Sequence, residues 1–439
     1  MMTSQYDLAI VGATAAGRAA ALGAAARGVR VALLEQGVGL AQAKLYTTAL
    51  CAHAQQQPGS GIGGLQAAIA KANWAIAALS EQQSAWVLGD RGVDYIAEFG
   101  QFSSGPTLDL ATATRQLHAT RYLLTPGWRS RLPQLAGLNE AGYLTPEQIW
   151  ADPQCLLTAR RLAILGATAL AVELAQSLQR LGWSVTLLAP QQLLPTLDRT
   201  VAYWLQAQLE ADGVEVLTHS AVTQVRTLDG QKWLQAGDQA IAVDEIMLAC
   251  GLQPELSDWQ LGERLAITAN GQLQVNARLQ TAHPHIFACR RSDAAIAVAE
   301  AAIAVANALG QPRQTMSYHA LPIAIATDPP LAAVGWTETW ARQQLAAEAL
   351  ITTVQAAQAS RAQLLDATTG GCKLIARRDG EILGAHAFGL AAAEWIGAIA
   401  FAIQQGLPVA DLAAMPVTQP SASELIPLVA RAALKQCQQ

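Results

Sequence analysis

Two stretches of the chain share one rhythm of apolar and polar positions. Residues 8–35 run LAIVGATAAGRAAALGAAARGVRVALLE and residues 162–189 run LAILGATALAVELAQSLQRLGWSVTLLA, and the two align without a gap. Each begins with an unbroken apolar run of strand length. Each then passes a Gly-Ala-Thr turn into a long alanine-rich segment, meets Gly28 or Gly182, and ends in a second apolar run. Unbroken apolar strands fit a parallel sheet buried on both faces. Strand, glycine turn, helix and strand make the βαβ unit that opens a dinucleotide-binding domain, here present twice.

Between the copies, Gly59 to Gly64 predicts a glycine-rich loop, followed by a helix from about Leu65 to Ser80. Arg121 to Gly127 predicts a strand closing in a turn. After the second copy, strands are expected over Val214–Leu217, Ala221–Arg226 and Glu245–Ala249, the last closed by a turn at Gly251. A short strand within Thr281–Cys289 precedes a helix over Asp293–Leu309, and Pro312 to Pro322 reads as a linker. Beyond it the pattern changes to strands near Ala332–Gly335, Leu350–Gln355, Gly371–Ala376 and Ile382–Ala387, then a helix at Ala391–Gln405. The expected fold is α/β, with two Rossmann-like domains and a C-terminal α+β module.

Composition narrows the function. Apolar residues make up 52% and charged residues 14%, enough for sizeable cores, and the alanine share favours closely packed helices. A net charge of -5 without a long basic run argues against nucleic acid or an anionic membrane as partner. The most apolar helix, Ala294–Leu309, is broken by Glu300 and Asn307 and is shorter than a membrane span, so a cytoplasmic protein is expected. Cys51, Cys155, Cys250, Cys289, Cys372 and Cys437 show no metal or CxxC spacing, and His283 with His285 lacks a third ligand nearby. No metal site is expected.

The dinucleotide fingerprint G-x-G-x-x-G uses its first glycine for a tight turn and its second for the approach of the pyrophosphate. Its third lets the helix sit close to the strand. Here the first copy has Gly12, Thr14 and Gly17, and the second has Gly166, Thr168 and Ala171, so both middle glycines are threonines. Glu35 ends the second strand of copy one, where an acid can accept hydrogen bonds from an adenosine ribose; copy two has Ala189 there. Either the copies hold nucleotides, or they are inherited scaffolding that no longer does.

The order of parts resembles the class I pyridine nucleotide-disulfide oxidoreductases, the family of dihydrolipoamide dehydrogenase, glutathione reductase and mercuric reductase. The residues that carry the resemblance are Gly12 to Gly17 with Glu35, Thr125-Pro126-Gly127, Gly166 to Glu173 and Ala249-Cys250-Gly251. Thr327 to Gly335 and Gln419 to Glu424 match as well. The resemblance implies an FAD-binding domain from residues 1–150 and 281–315, an NAD(P)-binding-like domain over 151–280 and a dimerisation domain over 316–439. It implies FAD and NAD(P)H as cofactors and a homodimer that buries the apolar helix around Trp395. The cofactor-binding positions it implies are Gly12, Thr14, Gly17, Glu35, Gly127, Gly166, Thr168, Glu173, Gly251 and Arg291.

Departures from the family are as informative. The family's CxxxxC pair aligns with Ala43 and Thr48, with Cys51 three residues beyond, and its C-terminal histidine acid–base aligns with Gln419, leaving Glu424 without that partner. Its flavin-binding Gly-Asp is replaced by Arg290-Arg291, which either bind a phosphate or form surface ion pairs, with Asp293 as a substitute acid. Two readings follow: a flavin-dependent oxidoreductase whose electrons leave without a dithiol to an unidentified acceptor, or a non-catalytic paralogue that keeps the fold and dimer interface.

Overall fold

The opening apolar run becomes strand β1 (Met2–Val11), followed by helix α1 (Ala15–Ala25) and strand β2 (Val31–Leu34). This computed structural model describes residues 2–35, 42–103, 108–256, 259–261, 265–268, 271–310 and 313–438. Helix α2 (Ala43–Gln56) and helix α3 (Gly61–Glu81) come next. The helix therefore starts at Gly61, inside the expected glycine loop. With Ser60 Oγ donating to Gln57 O at 2.7 Å, the turn is completed by 60 and the small residues that follow extend the helix. Pro312, the start of the expected linker, lies outside the described residues.

The chain divides into two compact units. One comprises residues 1–46, 69–132 and 251–317, the other 47–68, 133–250 and 318–439. In the first, β1 pairs in parallel with β2 on one side and with strand β3 (Arg115–Leu124) on the other. Val93–Ile96 extends the parallel sheet beyond β2, and Ile286–Ala288 pairs in parallel with β3. Asp109–Ala111 and Gln101–Phe102 add antiparallel pairs after β3. These short strands lack the long apolar signature of β1, and the sequence pattern did not mark them.

Alanine spacing explains the helix packing in this unit. Ala16, Ala20 and Ala24 of α1 lie at i, i+4 spacing, and Ala297, Ala301, Ala304 and Ala308 line the facing side of the helix Ala294–Leu309 in the same core. Small side chains on one ridge let two helices approach closely. The two polar residues in that helix are buried and satisfied. Asn307 donates to Arg278 O and Gln314 O, and Glu300 accepts from the backbone N–H of Arg290 and Arg291 at 2.9 and 3.1 Å.

In the second unit, strand β4 (Arg161–Leu165), helix α4 (Ala169–Leu181) and strand β5 (Ser184–Leu188) repeat the motif. The parallel sheet runs Glu215–Leu217, β5, β4 and strand β6 (Glu245–Leu248). Three antiparallel strands, Val222–Leu228, Gln231–Ala236 and Gln239–Val243, precede β6, and the last two were not expected. The C-terminal part is a five-stranded antiparallel sheet covered by helix α5 (Ala392–Gln405) and helix α6 (Leu425–Cys437).

The architecture is α/β, with two Rossmann-like domains and a C-terminal α+β domain. The Trp395 indole is buried in the core of its own chain, donating to Leu390 O at 3.2 Å, and the apolar face of α5 packs on its own sheet. That face is used up within one chain, whereas Phe401 on the same helix is 59% exposed.

Candidate functional site: two glycine turns

Each turn sits where the strand order reverses, at the carboxyl ends of β1 and β3 in one copy and of β4 and β6 in the other. Ligands of open α/β sheets bind in the crevice at such a switch point. Both first glycines are forced by packing. Gly12 has φ +112°, and a Cβ there would lie 2.0 Å from Thr125 O; Gly166 has φ +145°, and a Cβ would lie 2.2 Å from Ala249 O. A Cβ on Gly17 would lie 1.9 Å from Gly12 O. Copy two carries Ala171 at that place, buried, so α4 leaves its turn with room that α1 does not have. Chain packing alone thus accounts for Gly12 and Gly17, whether or not a nucleotide binds.

The two threonines cap their helices. Thr14 Oγ1 accepts from Gly17 N at 3.3 Å and Thr168 Oγ1 from Ala171 N at 3.2 Å, each taking one of the N–H groups a helix start leaves without an intrahelical partner. Their donor sides differ. Thr168 donates to Ala249 O at 2.9 Å, at the end of the neighbouring strand. In copy one the corresponding link comes from the strand end: Thr125 Oγ1 donates to Gly12 O at 2.6 Å, while the Thr14 hydroxyl caps its helix.

A cleft with about 340 Å³ of empty space, part of it open to solvent, lies at this end of copy one. Its walls include Thr14, Ala15, Ala16, Thr125, Trp128 and Arg291. Ala15 and Ala16 bring the N-terminal backbone of α1, and exposed Arg291 brings a cation to the rim; both are suited to a phosphate. Glu35 follows β2 beside this end of the sheet, its N–H donating to Ile96 O at 2.9 Å. Glu255 N donates to Gly127 O, and Arg131 N to Gly251 O, each at 2.9 Å, on a small antiparallel pair that continues from the cleft. The start of α1 and Arg291 at this cleft have the chemistry that a diphosphate needs.

Other expected residues are placed elsewhere. Glu173 is buried on α4 and accepts from Ala326 N at 2.7 Å, and one turn on Gln176 bonds both N–H and C=O of Asp328. Arg180 completes the stripe, donating to Asp328 Oδ2 at 2.6 Å. These i, i+3, i+7 positions form one face of α4. Glu173 thus serves the chain's own backbone. Asp293 caps the helix Ala294–Leu309, its Oδ1 accepting from Ala295 N and Ile296 N. Arg290 Nε stands 3.9 Å from Glu300, whose carboxylate also gathers the two backbone N–H groups of 290 and 291.

Sequence reasoning missed Thr125 as a site residue, together with Trp128 and Glu300. Thr125 carried a readable signal, because it stands one residue past β3 as Ala249 stands past β6.

Ala43 and Thr48 lie on α2, five residues and therefore roughly 140° apart around a regular helix. Cys51 lies one turn beyond Thr48, and none of the six cysteines is in a disulfide. Burial, with Glu300 beside it, pushes the Cys289 thiol on the cleft wall well above its ordinary range, and burial pushes Cys372 up to about 12. Neither is a thiolate near neutrality. Gln419 is exposed. Glu424 has new partners: its carboxylate accepts from Ser421 N, Ser360 N and Ser360 Oγ at 2.7, 3.1 and 2.6 Å. Desolvation pushes this carboxyl up, but these bonds outweigh it and hold Glu424 below its ordinary range, ionised and structural.

Fold and turns together define a two-dinucleotide-fold α/β protein. Residues 6–307 match the family described as pyridine nucleotide-disulphide oxidoreductase, and residues 321–430 match that family's dimerisation domain. The chain belongs to this family, whose members use FAD with NAD(P)H as electron donor. It is 29% identical to a mercuric reductase of Streptomyces lividans, covering 93% of this chain and 92% of that protein. It is 27% identical to a mercuric reductase of Acidithiobacillus ferrooxidans, covering 93% and 79%. Among solved structures, the copper(II) complex of the HOCl-induced flavoprotein disulfide reductase RclA from Escherichia coli superposes with a TM-score of 0.83 at 25% identity, covering 95% and 98%. LpdA from Mycobacterium tuberculosis shares the fold, with a TM-score of 0.83 at 22% identity, covering 98% and 99%. Among the described residues no helix is long and apolar enough to cross a membrane, and none form a metal-binding group.

Proposed function

We propose that this protein is an FAD-dependent, NAD(P)H-linked oxidoreductase that works without a dithiol. The reading rests on the alignment of the family's redox pair with Ala43 and Thr48, two residues of α2 that carry no thiol. The exchange of the C-terminal acid–base for Gln419 and the recruitment of Glu424 into a serine-bonded cap remove the residues that would serve such a pair. Gln419 has no proton to exchange near neutrality.

In this reading residues 1–150 and 281–315 form the FAD domain, 151–280 the nucleotide domain and 316–439 the dimerisation domain of a homodimer. Ala15 and Ala16 N–H groups with Arg291 hold the FAD diphosphate, and Glu35 accepts from the ribose. FAD supplies the hydride chemistry when bound; the protein orients it and shields it. Electrons pass to an acceptor other than a protein disulfide.

A second reading, a non-catalytic paralogue, is favoured by one finding: Gly12 and Gly17 are required by packing alone. The protein as isolated separates the two. Flavin absorbance that bleaches anaerobically with NADH or NADPH supports the enzyme; a colourless protein that takes up no added FAD supports the paralogue. Size-exclusion chromatography at micromolar concentration tests the dimer, and a monomer contradicts it.

A further inference from the structure

We propose that Thr168 is a latch on the second crevice, setting the affinity of that site for the diphosphate of a pyridine nucleotide. The inference deepens the oxidoreductase reading, since it concerns the donor site of that same reaction. The switch point of the second sheet lies between the ends of the paired strands β4 and β6, where this fold class places its nucleotide crevice. One hydroxyl bonds both of its walls: it accepts from Ala171 N, at the start of α4, and donates to Ala249 O, beyond β6. Both threonines cap their helices, so the difference lies in the donor: the Thr168 O–H is committed to Ala249 O and is not offered to a phosphate oxygen. The Thr168 methyl and hydroxyl stand where the fingerprint has no side chain at all.

Copy one shows that the fold does not need this arrangement. There the side-chain link runs from Thr125 Oγ1 to Gly12 O, and Thr14 lines the cleft with its cap bond. The same residue type at the same place therefore lines an open cleft in one copy and bridges the walls in the other. Beyond β5 the crevice offers buried Ala189 in place of a ribose-binding acid, which leaves the diphosphate as the main recognised group. Opening the bridge costs binding free energy, and removing it returns that cost to the ligand.

The test is calorimetric titration of the full-length protein with NADH and with NADPH, comparing wild type with Thr168→Gly and Thr168→Ser. Thr168→Gly is expected to bind both nucleotides roughly five- to tenfold more tightly, the worth of about one hydrogen bond. Thr168→Ser keeps the hydroxyl and is expected to stay within about twofold of wild type. Without ligand, Thr168→Gly is expected to melt about 2 °C lower, because the bridge is gone. Binding by Thr168→Gly that is no tighter than wild type, including no binding by either, overturns the latch. So does a serine variant that behaves like the glycine variant. Flavin content of the same preparations keeps the two readings apart: a colourless protein with the expected order of affinities sinks the flavin assignment alone. A yellow protein without that order sinks the latch alone.

Discussion

In the first copy of the glycine turn the strand end reaches for the turn, through Thr125; in the second the helix end reaches for the strand, through Thr168. Two sequences that align residue for residue have thus solved the same closure problem in opposite directions. The difference follows from Thr125 against Ala249, a single side chain past the neighbouring strand, far away in sequence from either turn. Periodicity and motif spacing are local, so they report the turn and miss its partner.

The sharpest way to break the comparison is at the third fingerprint position. Gly17→Ala places a Cβ 1.9 Å from Gly12 O and is expected to destabilise the first unit by about 3 kcal/mol or more, enough to prevent folding. Ala171→Gly, the reverse change in copy two, is expected to cost only about 0.5–1 kcal/mol from helix propensity. Denaturant unfolding of both variants measures the gap, and equal losses would erase the claimed difference in helix closeness.

A smaller effect is expected from Thr125→Val. It strips Gly12 O of its side-chain donor in a buried setting, for a loss of about 1–3 kcal/mol. Installing a threonine at Ala249 does not reproduce the Thr125 link unless the Thr168 bridge is also removed, so the pair Ala249→Thr and Thr168→Gly should be non-additive in a double-mutant cycle.

The second unit carries groups that make its stability sensitive to acid. Burial holds His386 and His319 below the ordinary imidazole value of 6.5. Burial pushes Asp198 up, yet the bond from Lys373 and the N–H of Glu338 outweigh it and hold this carboxyl below 3.8. A depressed pKa gives stability that is present above the unfolded value and lost as pH falls. The histidines therefore start a decline near pH 6.5 and the carboxylates extend it below about 4. Thermal melts from pH 7 to 5 should show the slope, and His386→Gln should flatten part of it; an unchanged slope contradicts the assignment.

The sequence made the two sheets and the C-terminal module legible because long apolar strands and Gly-Ala-Thr turns are strong local signals. The short strands Gln101–Phe102 and Asp109–Ala111, and the strands Gln231–Ala236 and Gln239–Val243 before β6, escaped because short, half-exposed strands lack such runs. Site residues divided the same way. Gly12 and Gly166 were placed by motif; the roles of Glu173, Asp293 and Glu424 depend on backbone partners that only folding brings to them. Trp395 packs on its own sheet, a contact that an apolar pattern alone does not distinguish from an interface between subunits.

The central claim is that flavin in this protein has no sulfur couple beside it to share electrons with. Anaerobic reductive titration of the flavin-loaded protein with dithionite tests it most directly. Full reduction after two electrons per flavin, with no intermediate long-wavelength band, is the outcome expected when the flavin is the only two-electron centre. Uptake of four electrons per flavin would mean that a hidden thiol pair takes part, and would contradict the account.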